Sequence, residues 1–409
     1  MKAVANRSKM DAVTRDIFRN LEHVGIDYGR AMEAVVGANN EAVTDLYNEL
    51  PDDVTVAEEM VAGQYTVLVP KVITGSKTAQ ARAENVIDRF RTRYTSISSI
   101  HRKEFYSIRD KAGRRVHTNL TNLASELRQY LAVPEVTLVQ IDCRNSQPFI
   151  MTAIIQEYHR INNTPYSKST QKYVDLVRNG EFYSYMKEKL GIPDEDGTFK
   201  ERFFKNIFYC RNSTAVKSPE FKAFHEIFPT VAEITLQERA CDHADFSIKM
   251  QRIESTVCLD QTLTYLFGRY KCDWFSHVHD SILCDVKHVD EVVNLMKVYY
   301  GHACGVEPSL RAEYLSTKVI IEQQDASESI NEMMGVFSSE VEEGGARFYD
   351  GWKENRVGLH TTPGATSGML AMEKAGRDII SEEDFFDMSP EQMKEYLESR
   401  PSGVILKGL

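Results

Sequence analysis

The stretch WFSHVHDSILCDV, residues 274–286, decides how this sequence is interpreted. Apolar residues bracket the polar run from His279 to Ser281, which predicts two buried strands joined by a tight turn. A carboxylate such as Asp280 at the end of a buried strand is costly unless it is paired or bound to a cation. The stretch therefore predicts a β-hairpin whose tip carries either a plain turn residue or a cation ligand.

A second carboxylate stands in a matching context. The β-branched run EVTLVQIDC (135–143) predicts a buried strand that carries Asp142 near its end. Two such carboxylates can hold a pair of Mg²⁺ ions about 4 Å apart, the arrangement used for in-line phosphoryl and nucleotidyl transfer. Mg²⁺ prefers oxygen ligands and keeps several waters, so two carboxylates and the substrate phosphates suffice. Each aspartate alone is weak support for a metal site. The order of the surrounding motifs decides between a plain turn residue and a cation ligand.

Length and composition limit the number of structural units and the class of protein that the chain can form. The 409 residues are enough for two or three structural units, and 42% hydrophobic residues can form a core. No apolar run could span a bilayer, and the N-terminal MKAVANRSKMD lacks the apolar segment of a secretory signal. Seven cysteines without CxxC pairs favour a reducing, cytoplasmic compartment. The net charge of -11 argues against a uniformly basic surface but allows a local basic cleft.

Apolar periodicity predicts a mainly helical chain with a few strands, an α+β fold. Residues 1–100, 149–245, 245–270 and 287–303 carry apolar residues mostly at helical spacing. YTVLVPKVIT (65–74) is compatible with a strand, and 381–401 with short helices that begin at serine caps.

Four elements in chain order resemble a known family. DKAGRRVHT (110–118) resembles the T/D-x-x-G-R element of single-subunit, phage- and mitochondrial-type RNA polymerases and of family A DNA polymerases. IDCRNSQP (141–148) resembles their motif A, and HDS (279–281) resembles their motif C. FKERFFKNIFYC (199–210) loosely resembles motif B, a helix with a lysine and an aromatic residue eight positions later. The resemblance covers roughly residues 100–300 and depends on the ordered set.

The resemblance implies a nucleotidyltransferase that uses Mg²⁺ held by Asp142, Asp280 and the neighbouring Cys143. A fingers lysine, Lys200, would neutralise the triphosphate as charge develops on the leaving group. Arg114 would approach the nucleic-acid backbone, and His279 would position the primer end. The implied substrate-binding residues are Ser146, Gln147, Phe208, Tyr209, Gln251 and Glu254.

The register of motif B is open. Lys200 and Phe208 lie eight residues apart, on one face of a regular α-helix, but Lys205 with Tyr209 is a rival pair. The family's arginine four residues before the lysine is replaced by Asp196. Three cations remain candidates for the motif B position: Lys200, Arg202 and Lys205.

The sequence favours RNA over DNA synthesis. Family A DNA polymerases carry a glutamate five residues after the motif A aspartate, which blocks the ribose 2′-OH, and here that residue is Gln147. Ser146 fits the D-x-x-x-S pattern of the RNA enzymes. Short fingers and the aromatic-Pro string FKAFHEIFPTV (221–231) support a family A-like DNA polymerase as the alternative. A two-metal nuclease would need the aspartates but neither Lys200 nor Arg114.

The implied architecture is a polymerase right hand with a small antiparallel palm sheet. Its segments are a thumb-like helical region (1–100), a palm segment with motif A (101–150), helical fingers (151–245), a palm segment with motif C (246–320) and a C-terminal extension (321–409). The chain resembles the palm–fingers subunit of a split phage RNA polymerase, completed by a second polypeptide. The expected partners are a DNA template, nascent RNA and NTPs, in the host cytoplasm and without a membrane.

Overall fold

The computed structural model describes residues 10–193, 198–240, 243–315 and 320–321. These residues form a mainly helical chain with small antiparallel sheets, which confirms the α+β class. The predicted C-terminal extension lies outside the described residues, apart from residue 321.

The helices in chain order are α1 (Ala12–Leu21), α2 (Tyr28–Glu49), α3 (Lys77–His101), α4 (Ser146–Asn162), α5 (Lys168–Arg178), α6 (Phe182–Leu190), α7 (Phe199–Phe203), α8 (Asn212–Ala215), α9 (Pro219–Ile227), α10 (Pro229–Glu238), α11 (His243–Ser255), α12 (Thr264–Arg269) and α13 (Val289–Cys304). Two π-helical segments, Phe204–Phe208 and Thr256–Leu263, continue α7 and α11. The strands are β1 (Gly25–Ile26), β2 (Val54–Val61), β3 (Tyr65–Val72), β4 (Ser107–Arg109), β5 (Val116–Thr118), β6 (Leu131–Ala132), β7 (Leu138–Cys143), β8 (Phe275–Val278), β9 (Ser281–Asp285), β10 (Leu310–Tyr314) and β11 (Ile320–Ile321).

The chain divides into two compact units. Unit 1 comprises Met1–Gln140, Cys272–Val286 and Tyr314–Val319, and unit 2 comprises Ile141–Lys271, Lys287–Glu313 and Ile320–Leu409. The division falls within β7, the strand that carries Asp142. The five functional segments inferred from the sequence stay predictions.

The first hundred residues contain more strand than the periodicity indicates. Strand β3 confirms the predicted strand at 65–74, and it pairs with β2 over eight residues, from Val54 opposite Val72 to Val61 opposite Tyr65. Strand β2 was not predicted from the sequence, because its acidic residues are exposed in a two-stranded hairpin and it therefore lacks a continuous apolar face. Together α2, α3 and this hairpin bury a small core of Leu46, Val54, Ala79 and Ala83.

The predicted hairpin is present. Strands β8 and β9 are antiparallel, and the pairing of Val278 with Ser281 leaves His279 and Asp280 as a two-residue turn. The hairpin belongs to a five-stranded sheet in the order β11-β10-β7-β9-β8, which also confirms β7 as a strand.

Polar groups of unit 1 fix the base of the hairpin. Asn20 on α1 donates from Nδ2 to the Phe275 carbonyl at 2.8 Å, and Trp274 Nε1 donates to the Asn20 carbonyl at 2.9 Å. His277 Nε2 contacts the Val116 carbonyl at 3.0 Å, so the neutral imidazole donates there. Every residue of both strands is buried. The turn residues therefore project from a well-anchored base.

His277 makes unit 1 sensitive to acid. Burial lowers the pKa of His277 to about 3, whereas an unfolded chain titrates near 6.5. The buried neutral imidazole contributes its full share to the free energy of unfolding above pH 6.5. This contribution is lost as the pH falls from 6.5 towards 3, because in that range the unfolded chain binds a proton that the folded chain does not. We expect the free energy of unfolding to drop by about 1–2 kcal/mol for this group between pH 7 and pH 5.

The measurement is urea unfolding followed by tryptophan fluorescence at both pH values. His277→Gln keeps an amide that can donate to Val116 but cannot titrate, so the pH dependence should shrink by about one proton. His23→Gln, at an exposed histidine, is the matched control and should retain the wild-type dependence. An unchanged pH slope in His277→Gln would contradict this account.

Candidate functional site

The D-x-x-G-R element forms a hydrogen-bonded turn between β4 and β5 in unit 1. Asp110 Oδ1 accepts from the Gly113 amide at 2.7 Å, and Asp110 Oδ2 lies 3.0 Å from His117 Nε2. Burial raises the pKa of Asp110, but these hydrogen bonds outweigh it and hold the pKa below its ordinary value. Arg109 Nε donates to the Arg114 carbonyl at 2.7 Å, and Arg114 adopts a φ of 59°. The motif thus places Arg114 on a tight, internally braced turn.

The turn that carries Asp280 is conformationally strained. His279 adopts a φ of 55°, in the left-handed region that costs a non-glycine residue about 1–2 kcal/mol. Strain of this kind persists where the surrounding structure holds it, and it is concentrated at functional sites. Asp280 is half-buried beside His279.

Basic side chains of unit 1 affect the pKa of His279 in this turn. Desolvation lowers the pKa of His279 to about 4, and the charges of Arg115, Arg128 and His117 lower it further. His279 is therefore neutral at pH 7 and lies among cations, although the whole chain is acidic. Sequence reasoning missed Arg128, which no motif marks, and passed over Arg115 inside the quoted motif.

In unit 2, Asp142 forms a two-point ion pair with Arg311. Arg311 Nε lies 3.2 Å from Asp142 Oδ1, and Arg311 Nη2 lies 3.4 Å from Oδ2. The same Nη2 lies 3.5 Å from Glu313 Oε2. Sequence reasoning missed Arg311 and Glu313, because only strand pairing brings LRAEY (310–314) beside motif A.

A tight turn follows Asp142. The Arg144 amide donates to the Ser309 carbonyl at 2.9 Å, and Asn145 adopts a φ of 53° just before α4 begins at Ser146. Gly180 packs against this turn with a φ of +78°, and a Cβ there would lie only 2.8 Å from Arg144 Cδ. The turn directs Gln147 into the interior of unit 2.

Three predicted substrate-binding residues meet in one hydrogen-bonded network in unit 2. Gln147 Nε2 donates to Glu254 Oε2 at 2.9 Å, and the Tyr209 hydroxyl donates to Gln147 Oε1 at 3.3 Å. Glu254 is 1% exposed and Gln147 is buried, whereas Tyr209 is 37% exposed. The network therefore connects a buried carboxylate, through the amide, to an aromatic ring that reaches the surface.

The structure distinguishes Phe208 from Tyr209, the two aromatic candidates of the segment that resembles motif B. Phe208 is fully buried, against Phe203, Phe204 and Phe246, so it is a core residue and its predicted contact with substrate is not supported. The cause is the π-helical segment Phe204–Phe208, whose wider turn adds one residue to the helical repeat. Tyr209 takes the outward position instead, and its ring centroid lies 5.9 Å from that of Phe204.

The three candidate cations of motif B differ in their contacts. Arg202 pairs with the buried Glu220, with Nε 3.4 Å from Oε1, and so supports the local fold. Lys200 is exposed, and its Nζ lies 5.9 Å from the Tyr183 ring and 5.8 Å from the Phe204 ring. Lys205 is also exposed. The two lysines remain candidates for a phosphate contact.

The structure gives weaker support to the predicted ligand contacts of Cys143, Ser146 and Gln251. The Cys143 side chain is buried, with Sγ 3.6 Å from the Arg144 carbonyl, and a thiol is a poor ligand for Mg²⁺. Ser146 Oγ is buried and has no hydrogen-bond partner among the described residues, so it is compatible with a polar contact to a ligand. Gln251 is half-buried on α11, one turn before Glu254.

Within residues 10–193, 198–240, 243–315 and 320–321, no group of three or more Asp, Glu, His or Cys side chains could hold a metal ion. The oxygen donors of Asp142 and Asp280 suit Mg²⁺, but the two belong to different units, so their approach to each other stays a prediction.

No protein-family model matches the chain, and no curated protein matches it significantly.

In the part of the chain that the structure describes, no helix is both long and apolar enough to cross a membrane.

The corrected register predicts that Phe208 and Tyr209 differ in their contribution to stability. Phe208→Ala should lower the free energy of unfolding by about 3–5 kcal/mol, because it opens a cavity in an aromatic core. Tyr209→Ala removes a half-exposed ring and one hydrogen bond, so it should cost only about 1 kcal/mol. Urea unfolding of both variants makes the comparison. Similar urea midpoints for the two variants would contradict the core position of Phe208 and favour the register that pairs it with Lys200.

Proposed function

We propose that this chain is a template-directed nucleotidyltransferase, the catalytic palm–fingers subunit of a DNA-directed RNA polymerase. The observation that supports it best is the network of Tyr209, Gln147 and Glu254. These residues lie 62 and 107 positions apart in the pairs that bond. The resemblance assigns each of them to a different nucleotide-contacting segment: Gln147 to motif A, Tyr209 to motif B and Glu254 to the helix before motif C.

In this proposal Asp142 and Asp280 would hold two Mg²⁺ ions, which would supply positive charge to activate the primer hydroxyl and to stabilise the leaving diphosphate. Lys200 or Lys205 contacts the triphosphate of the incoming nucleotide. The half-exposed ring of Tyr209 offers a stacking surface for a base, and the network restrains its orientation. Arg114, Arg115 and Arg128 bind nucleic-acid phosphates around the strained turn.

The first prediction concerns the two aspartates. Asp142→Asn and Asp280→Asn should each lower the rate of NTP incorporation by about 10³-fold, because each loses a ligand whose metal stabilises the transition state by several kcal/mol. The assay uses the full chain, Mg²⁺, labelled NTPs and a primed DNA template, which removes any need for promoter recognition.

Asp285→Asn is the matched control, since Asp285 Oδ1 accepts from the Thr137 amide at 3.2 Å and asparagine can do the same. The control should keep its activity. Incorporation that survives Asp142→Asn would contradict the proposal. Degradation of the template without incorporation, but with the same aspartate dependence, would indicate a two-metal nuclease.

The choice of sugar depends on Gln147 and its neighbour. A glutamate at position 147 would bring a second carboxylate within hydrogen-bond distance of the buried Glu254, and two such charges repel. The buried Glu254 therefore explains in physical terms why residue 147 is a neutral glutamine and not a glutamate. A neutral amide can donate a hydrogen bond to a ribose 2′-OH, which a carboxylate cannot, and this favours NTPs.

We therefore predict that the double variant Gln147→Glu/Glu254→Gln, which keeps the hydrogen bond but reverses its polarity, shifts incorporation from NTPs towards dNTPs. Gln147→Glu alone should mainly lose stability, because it buries two adjacent carboxylates. The measurement is the ratio of kcat/KM for NTPs and dNTPs on the primed template. A wild type that prefers dNTPs would overturn the RNA assignment and favour the DNA polymerase.

A further inference from the structure

Two side chains of α2 cover the outer edge of β3 in unit 1. The Leu68 amide donates to Asn40 Oδ1 at 2.8 Å, and the Leu68 carbonyl accepts from Asn39 Nδ2 at 2.8 Å. The Thr66 carbonyl accepts from Asn40 Nδ2 at 3.3 Å. Pro70, two residues beyond Leu68 on the same strand, has no amide hydrogen to donate. These groups block the addition of a further strand at the β3 edge.

The same contacts define which backbone groups of β2 face away from β3. Opposite residues of an antiparallel pair alternate between those that exchange both backbone hydrogen bonds and those that exchange none. Leu68 lies opposite Glu58, and Thr66 lies opposite Met60. Because Leu68 uses its amide and its carbonyl on α2, both pairs are of the second kind. Glu58 and Met60 therefore direct their amide and carbonyl groups to the outer edge of β2, as does Val56 by the same alternation.

This edge of β2 is open. Within the part of the chain that the structure describes, the sheet has only the strands β2 and β3. The outward-facing backbone groups of Val56, Glu58 and Met60 form no hydrogen bond with another described residue. Glu58 and Glu59 are exposed, and Met60 is 66% exposed, so the edge is accessible. A two-stranded hairpin is only marginally stable by itself, so a third strand would satisfy these groups and stabilise the hairpin.

The side chains of β2 define the chemistry of a strand that fits this edge. Adjacent residues of a strand point to opposite faces, so Glu58 and Glu59 place one carboxylate on each face of the hairpin. Apolar residues precede and follow the two glutamates, in the order VAEEMV (56–61). Opposite charges stabilise residues that lie directly across from each other on neighbouring strands. The complementary strand therefore carries two adjacent basic residues with apolar, β-branched residues on both sides.

A second copy of this chain fits the edge poorly. An antiparallel pairing of two β2 strands that is centred on Glu58 places this residue beside its own counterpart. A pairing centred on Glu59 does the same for that residue. Like charges directly opposite each other are destabilising. The charge pattern therefore favours a different polypeptide and opposes pairing between copies.

We propose that the outer edge of β2 is a docking site for another polypeptide, which adds an extended basic segment as the third strand of this sheet. Backbone hydrogen bonds to Val56, Glu58 and Met60 supply the affinity, and the two glutamates select the basic side chains of the segment. This inference depends on unit 1 alone and not on the proposed nucleotidyltransferase activity.

Binding of a designed peptide to the full chain tests the inference. The peptide has two central lysines, flanked on each side by two valines and a threonine, and its labelled amino end reports binding by fluorescence anisotropy. The wild type should bind it about tenfold more tightly than the same peptide with glutamates in place of the lysines, because two cross-strand charge pairs change sign. Glu58→Lys/Glu59→Lys should reverse this preference.

A proline substitution separates strand pairing from attraction between charges. Met60→Pro removes an outward-facing amide but no hydrogen bond to β3, since Met60 exchanges none with Thr66. It should weaken binding of the basic peptide by about tenfold, because the lost bond leaves a partner group unpaired. Met60→Thr is the matched control, which changes the same side chain and keeps the amide, and it should bind the peptide as the wild type does.

Three results would overturn the inference. The first is a wild type that does not bind the basic peptide, or that binds both peptides equally. The second is equal binding of the basic peptide to Met60→Pro and Met60→Thr, which would indicate attraction between charges without strand pairing. The third is dimerisation of the wild type in sedimentation velocity that Met60→Pro abolishes, which would assign the edge to a second copy of this chain.

Discussion

The buried carboxylate of Glu254 constrains the centre of unit 2. A carboxylate withdrawn from water costs several kcal/mol unless hydrogen bonds compensate. Gln147 supplies one such bond, and its carbonyl oxygen then accepts from Tyr209. The single buried carboxyl group of Glu254 thus favours a neutral amide five residues after Asp142, and the network restrains the Tyr209 ring, which reaches the surface.

Both π-helical segments adjoin this network. Tyr209 directly follows Phe204–Phe208, and Glu254 lies two residues before Thr256–Leu263. π-Helical turns are rare, and they are found frequently at functional sites because they redirect side chains that a regular helix would align elsewhere. Here the first segment buries Phe208 and turns Tyr209 outward. The second continues the helix that carries Glu254 towards the hairpin stretch.

The features that the sequence predicted well were local. Strand β7 and the β8–β9 hairpin were predictable because both are short runs rich in apolar residues, and the hairpin run contains a polar turn at His279 and Asp280. The burial of Phe208 was not, because a π-helical turn changes the helical repeat without a residue signature. Arg311 could not be found either, since its role depends on which strand lies beside β7. The assignment of Gln147 and Glu254 to substrate contact came from resemblance, and their bond to each other was visible only in the structure.

The central claim is that Asp142 and Asp280 share a pair of metal ions. Anomalous diffraction from crystals of the full chain soaked with Mn²⁺ and an NTP tests it most directly. The account predicts two Mn²⁺ sites about 4 Å apart, with both carboxylates as ligands. Carboxylates more than about 10 Å apart, too far to share ions at that spacing, would contradict it.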